Sequence, residues 1–530
     1  MRGSDGLPSL ERSPGSAGGV KTNSLDLKRL VLLSGLAMSV GWGFRGDYGH
    51  EAGAMVPGAL LGLAVALASG REDWARRAPL LGFLGAIGWA FGGQMSYGKV
   101  VGYTAHTSLP DVAYGYACLF AIGALWGGIG AGILALGVTR PRGELNRFAG
   151  PLGALFLVWI ALDLSELTDS LSGRWSLNDS DWVAAASALL VAWTYGLIAP
   201  AARPASRLIL LLAGGWWLGF LLFPCLLGRR MTPPRSDNWA GCAGLYGGLV
   251  AHFLLTRNRA ALALSLTGLL WGGAGFVAGD FVNILGRAGW GPIGASETLR
   301  ALDHWKWMEQ LFGLAMGAGV ALGFARVLRG RIAPPQEDSA GGALDSLATP
   351  FLLVVMLWMN LYKNVRNWSR DGHIAQGLFG LAPSSLFLAV GIALSAVVAA
   401  AWILHHRRPL PLAPRSQFGR GQLLFLLLLW IAVIAALLQA FPGLKSAGVL
   451  FVHATFWLTA AACSLLLLLL REPQAVPEGE MVPPENRRWL PDWRHAVLWA
   501  LVPLLILLVA WLSTSTHAEP LQGSHLRFGE

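Results

Sequence analysis

The chain has 530 residues, 54% of them hydrophobic and only 13% charged, with a mean hydropathy of +0.52. Such a balance excludes an ordinary soluble globular protein of this length and points to a polytopic membrane protein. The formal net charge of +10 does not indicate nucleic acid as a partner, because Lys and Arg lie in short clusters between apolar runs, where they act as topology signals.

Residues 1–29 begin with a stretch rich in Gly, Ser and Pro and hold no apolar run that would serve as a signal peptide. They read as a disordered cytoplasmic tail. Apolar runs of spanning length then follow at about 30–44, 52–69, 79–97, 114–138, 149–167 and 182–200. A second series runs at about 207–228, 239–256, 262–285, 305–328, 349–366 and 381–404. Three more, near 421–441, 446–470 and 495–512, follow in a Leu-rich extension over 409–530, which has a Pro-rich loop near 472–493. None shows the alternation of a barrel strand, so the expected fold is all-α, with about 15 transmembrane helices.

With the amino terminus placed inside, most of the 40 basic residues fall in inner segments, among them Arg71, Arg76, Arg77, Arg140, Arg142 and Arg147, and later Arg326, Arg329 and Arg331. The expected orientation is therefore amino terminus in and carboxyl terminus out, in a bacterial inner membrane. Aligning the segment from Leu33 with the segment from Leu212 suggests two parallel six-helix repeats, 30–204 and 205–408. This six-plus-six layout resembles that of the major facilitator transporters. GREDWARR at Gly70 to Arg77 is loosely similar to that family's loop between its second and third spans, although its spacing differs and no second copy follows.

The motif that stands out is WGFRGDYGHEAGAM, Trp42 to Met55, which packs Arg45, Asp47, His50 and Glu51 between apolar stretches. Ionisable groups at a membrane span are costly unless paired or facing water, so they read as functional, against the plainer reading of a tight external turn. A His beside a carboxylate suits proton coupling. An HExxH zinc site fails here because position 54 is Ala54. The four cysteines have no CxxC spacing, which argues against a zinc site or a disulfide framework, and no cofactor is expected.

Further candidates fall on the same predicted outer side: Gln94, Lys99, Asp163, Glu166, Asp169, Asp280, Asn283, Glu309, Asn360, Lys363 and Asn364. The spacing of Asp163, Glu166 and Asp169, and of Asn360 and Lys363, predicts shared helix faces that pair across the two repeats. All these residues are expected to line one outward-facing vestibule that binds a small polar or charged solute. The plainer alternative is helix ends in extracellular water.

GxxxG spacings at Gly58/Gly62, Gly88/Gly92, Gly123/Gly127, Gly128/Gly132, Gly275/Gly279, Gly313/Gly317 and Gly319/Gly323 predict close helix packing. GFRG, FGGQ and WGGAG are also places where a helix can unwind. Trp42, Trp89, Trp126 and Trp271 are membrane-belt residues or, less commonly, stacking platforms for a flat ligand.

The leading expectation is a secondary carrier working in the lipid bilayer, coupled to a proton or sodium ion. The alternative is an integral membrane enzyme with an outward-facing active site for a lipid-linked or envelope carbohydrate.

Overall fold

The computed structural model describes residues 24–174, 181–233, 238–335, 342–364, 380–411, 413–440, 447–476, 479 and 481–528. Among these residues the chain is nearly all helical and has no strand; two isolated bridges, Arg71 with Gln474 and Ile332 with Val482, tie loops together. Thirteen helices are long and apolar enough to cross a membrane, and Ala78–Gly92 and Trp239–Leu255 are shorter apolar helices of 15 and 17 residues. The protein is a polytopic, multi-pass membrane protein.

The main helices are α1 (Ser24–Tyr48), α2 (His50–Ala68), α3 (Ala78–Gly92), α4 (Leu109–Thr139), α5 (Ala149–Leu164) and α6 (Asp181–Ile198). They continue with α7 (Arg203–Phe220), α8 (Trp239–Leu255), α9 (Arg259–Arg287), α10 (His304–Arg329) and α11 (Ala343–Leu361). The last four are α12 (Pro383–Arg407), α13 (Gln417–Ala440), α14 (Ala447–Leu468) and α15 (Trp493–Thr514).

Local sequence explains several starts. Pro79 and Pro110 lie in the first turns of α3 and α4, where a missing N–H costs nothing. Asn258, Asp303 and Asp492 cap α9, α10 and α15 by accepting from the backbone N–H groups of Ala261, Lys306 and His495. The Trp42 to Met55 motif differs from a turn: α1 stays helical through Gly46 to Tyr48, only Gly49 at φ 64° intervenes, and α2 begins at His50. Glycine suits that one left-handed position.

Six helices close into a ring in the order α1, α2, α3, α4, α9, α10 and back to α1, with neighbours antiparallel. The seams between them are built on glycine. A Cβ on Gly58 would overlap Gly85 O, and one on Gly85 would overlap Gly58 O, so α2 and α3 touch backbone to backbone. Gly123 and Gly127 of α4 meet Gly272 and Gly268 of α9 in the same way. Gly313 and Gly317 of α10 abut the carbonyls of Met38 and Ser34 on α1, and Gly279 of α9 abuts Met308 O. In hydrocarbon, where burial of apolar side chains gives no net drive, such close approach supplies dispersion contact over the length of a helix. Gly92, Gly130 and Gly319 instead make room for the indoles of Trp126, Trp89 and Trp271.

Outside the ring, α7 and α8 form a glycine-seamed hairpin, with α6 against α7 and α5 against α6. The pairings α1–α2 and α7–α8 correspond in the two aligned halves, as do α3–α4 and α9–α10. Beyond these the halves are used differently: the ring takes four helices from 30–204 and two from 205–408, and α1 closes on α10. The last three helices do not form one layer. Helices α13 and α14 pack against α1, with α13 also on α2, whereas α15 packs against α4 and α9 on the opposite edge.

The antiparallel ring gives the bundle two ends. One holds Arg45, Tyr97, Glu309 and the 93–108 segment. The other holds Arg71, Arg77, Arg140 and Arg326, with buried Arg77 donating to the carbonyls of Gly137 (2.7 Å) and Arg140 (2.8 Å) at the end of α4. A cation suits those carbonyls, which carry the negative end of the helix dipole.

Candidate functional site

Trp42 and Arg45 lie on the ring-facing side of α1, one turn apart. Arg45 donates to the hydroxyl of Tyr97, and Tyr97 donates to the carboxylate of Glu309 on α10. Arg45 Nη1 is 3.6 Å from Glu309 Oε1, with side-chain exposures of 9% and 0%, so both charges are withdrawn from solvent. Three rings surround the guanidinium: Tyr97 at 4.8 Å, Trp126 at 5.0 Å and Trp42 at 5.7 Å from its central carbon to their centroids. Aromatic faces attract a cation and shield it from water. Trp305 stacks on Tyr97 at 5.6 Å, while Phe276 and Phe312 stack on each other at 4.5 Å and touch Trp126.

A second pair lies on the next face of the same two helices. Lys306 Nζ donates to Asp47 Oδ2 at 2.5 Å, and the ammonium sits 5.0 Å from the centroid of Phe456 on α14. Gln310 and His453 are buried beside it. Helices α1 and α10 are thus joined twice by opposite charges, once inside the ring and once toward α14. Desolvating each ion costs several kcal/mol, and close pairing with further hydrogen bonds offsets it.

A third buried group forms where α9 meets the 93–108 segment. Asp280 has no exposure, shares a hydrogen bond of 2.6 Å with Thr104 Oγ1 and accepts from Asn283 Nδ2 at 3.1 Å. Tyr116 of α4 and Ser513 of α15 share a hydrogen bond of 2.6 Å. The chain after α15 folds back over this end. Leu521 N–H donates to Ala105 O (2.9 Å), His525 N–H to Gly102 O (2.8 Å), and Phe528 N–H to Asp111 Oδ1 (2.9 Å).

The expected single vestibule therefore resolves into separate sites. Arg45, Asp47 and Glu309 come together, and Asp280 and Asn283 share the third cluster. Asn360 is buried elsewhere, donating to Ala52 O on α2 and Met356 O. Gln94 O accepts from Asn238, which also bonds to Asp181. Glu51 is half-buried with its backbone against Gly93, and Lys99 is exposed.

Asp163 and Glu166 are exposed and do not share a helix face. Helix α5 ends at Leu164 and Glu166 takes φ 53°, which starts the chain in a new direction. The side chains of His50, Asp169, Lys363 and Asn364 lie outside the described residues, so the expected pairing of these faces across the two repeats does too. GFRG and WGGAG remain helical within α1 and α9, whereas the helix does break after FGG, at Gly93. Trp42 and Trp126 face Arg45 rather than an open platform.

Tyr97, Lys306 and Thr104 are the participants that the sequence reading did not single out. Lys306 lies three residues before Glu309 in a span otherwise poor in charge, which is a usable signal. Tyr97 has none, because tyrosine is ordinary at a membrane interface.

Beside the ring, an apolar cavity of about 100 Å³ opens between α3, α4 and the outer helices α5 to α8. Phe83, Ile87, Trp159, Ala188, Leu212 and Trp216 line it, and Gln94 is its polar member. Among the described residues, no three His, Cys, Asp or Glu side chains are grouped to hold a metal ion.

No protein-family model matches the chain, and no curated protein or solved structure is similar to it.

Proposed function

We propose that the protein is an ion-coupled carrier of a small polar or charged solute. In this reading the solute passes between the halves 30–204 and 205–408, in a bacterial inner membrane with the amino terminus inside. The observation that carries the reading is the buried Arg45–Glu309 pair, which joins α1 of one half to α10 of the other. Charges inside membrane spans are expensive and mark solute or ion pathways by default. An ion pair is also a separable joint, since both ions regain water when parted. The glycine seams further along the ring have nothing to rehydrate, so the Arg45 end is where the bundle opens at least cost. Arg45 Nε and Trp42 Nε1 are buried without an acceptor, which suits a solute bearing acceptor oxygens such as a carboxylate or sugar hydroxyls.

The test is uptake of a panel of carboxylate and sugar solutes into proteoliposomes, with and without imposed proton or sodium gradients. Gradient-driven flux of any of these solutes by the wild-type chain supports the reading. Absence of such flux for every solute, together with turnover of a lipid-linked donor, sinks it.

One observation favours a second reading, a membrane enzyme acting on a lipid-linked substrate. The buried polar groups gather at one end of the ring, and an apolar cavity opens beside Gln94 between α3, α4 and the outer helices. An acyl or isoprenoid chain fits such a cavity by its chemistry. Turnover of a lipid-linked sugar by purified protein in detergent, where no gradient exists, distinguishes this reading from transport.

A further inference from the structure

Of the buried acids in the ring helices, Glu309 faces Arg45 and Asp111 accepts from Ser108 and from the backbone N–H groups of Arg527 and Phe528, but Asp280 has, among the described residues, neither an ionic partner nor a backbone donor. It has 0% exposure, and among the described residues no Lys, Arg or His nitrogen lies within 4.0 Å of its carboxyl. Its neighbours are a hydroxyl and an amide. A lone carboxylate in such a place is strongly disfavoured, and neutralisation is the usual outcome.

The hydrogen count admits the same state. Thr104 Oγ1 lies 2.9 Å from Val101 O and 2.6 Å from Asp280 Oδ2, yet the hydroxyl has a single hydrogen. With that hydrogen directed to Val101 O, the 2.6 Å contact needs a second one, and the carboxyl is the group that can supply it. Asp280 Oδ1 meanwhile accepts from Asn283 Nδ2 at 3.1 Å, the role of the carbonyl oxygen of a neutral acid. A separation of 2.6 Å is normal for a shared hydrogen.

We infer that Asp280 is a proton-binding site, holding its proton on Oδ2 and donating it to Thr104 Oγ1. Loss of that proton to water leaves a carboxylate that accepts from Thr104 and Asn283. The ionisable groups around it are Tyr116 from α4 and Arg287, two turns further along α9. His106 of the 93–108 segment and His517 beyond α15 lie further out, near Arg287. The α15 side contributes the neutral Ser513 through Tyr116. The inference stands on this cluster and does not rest on the carrier reading; should that reading hold, Asp280 is where a coupling proton resides.

Infrared difference spectroscopy on the purified full chain in liposomes near neutral pH tests it, comparing wild type with Asp280→Asn. The expected result is a protonated-carboxyl C=O band in wild type that shifts in D2O, is missing from Asp280→Asn and does not change when sodium chloride replaces choline chloride. A difference spectrum with carboxylate bands only, or a C=O band removed by sodium, overturns the inference. Asparagine reproduces the hydrogen bonds of the neutral acid, so Asp280→Asn should melt within a few degrees of wild type. Failure of this variant to fold would mean that the ionised form is required, and would overturn the inference as well. None of these readouts needs transport activity.

Discussion

Arg45 on α1 and Glu309 on α10 stand 3.6 Å apart with both side chains buried, and the hydroxyl of Tyr97 is hydrogen-bonded to each. The arrangement is enclosed by Trp42, Trp126 and Trp305, so neither charge has water as an alternative partner. Removing one partner leaves the other as an uncompensated buried ion. Arg45→Ala and Glu309→Gln should each destabilise the fold by about 3–5 kcal/mol and abolish activity. Arg45→Lys should not restore activity, because an ammonium lacks the planar fork that spans Tyr97 and Glu309. Thermal melting in detergent checks the first statement and proteoliposome uptake the second; wild-type melting in both single variants would show that the pair is dispensable.

The Asp47–Lys306 pair is simpler, being one contact of 2.5 Å. Either Asp47→Lys or Lys306→Asp alone places like charges together and should lower the yield of folded protein at least several-fold. The double reversal should recover most of it. If the double variant is no better than the worse single one, the two residues are not coupled in the way described.

The glycine seams predict a position-specific pattern. Gly58→Leu and Gly127→Leu put side-chain carbon into the carbonyls of Gly85 and Gly268, with no flexible atom to yield, so neither should give monodisperse protein. Gly98→Ala and Gly153→Ala meet nothing within 4 Å and should behave as wild type. Size-exclusion profiles of the four variants decide the matter.

The carboxyl-terminal strap rests on Gly102 and Asp111. A side chain at Gly102 would collide with His525, and Asp111 accepts from the backbone of Arg527 and Phe528. Gly102→Val and Asp111→Ala should free residues 519–528, which trypsin cleavage at Arg527 and faster amide exchange at Leu521 and His525 would report. Unchanged exchange in both variants would contradict the described contacts.

Orientation is open to direct measurement. Gly98 at the Arg45 end and Arg76 at the opposite end are both exposed. In a Cys225→Ser background, Gly98→Cys should react with a membrane-impermeant maleimide on intact cells. Arg76→Cys should react only after permeabilisation. The reverse pattern would invert the proposed topology.

The sequence alone determined that this is a helical membrane protein, where most of its spans lie and which glycines of the ring helices sit at close helix contacts. Those properties are local: length, apolarity, small-residue spacing and the placement of Arg are all written in adjacent residues. The tertiary structure decided the partners. Asp47 and Lys306 are 259 positions apart, and nothing near either residue names the other. The reason is physical: in lipid every face of a span is apolar, so the sequence carries little periodicity to record which face meets which neighbour. Closure of the ring by α10 on α1, the separation of α15 from α13 and α14, and the exposure of Asp163 and Glu166 all follow from backbone fit at glycine seams and helix ends. Such fit is a relation between distant segments, and only the folded bundle expresses it.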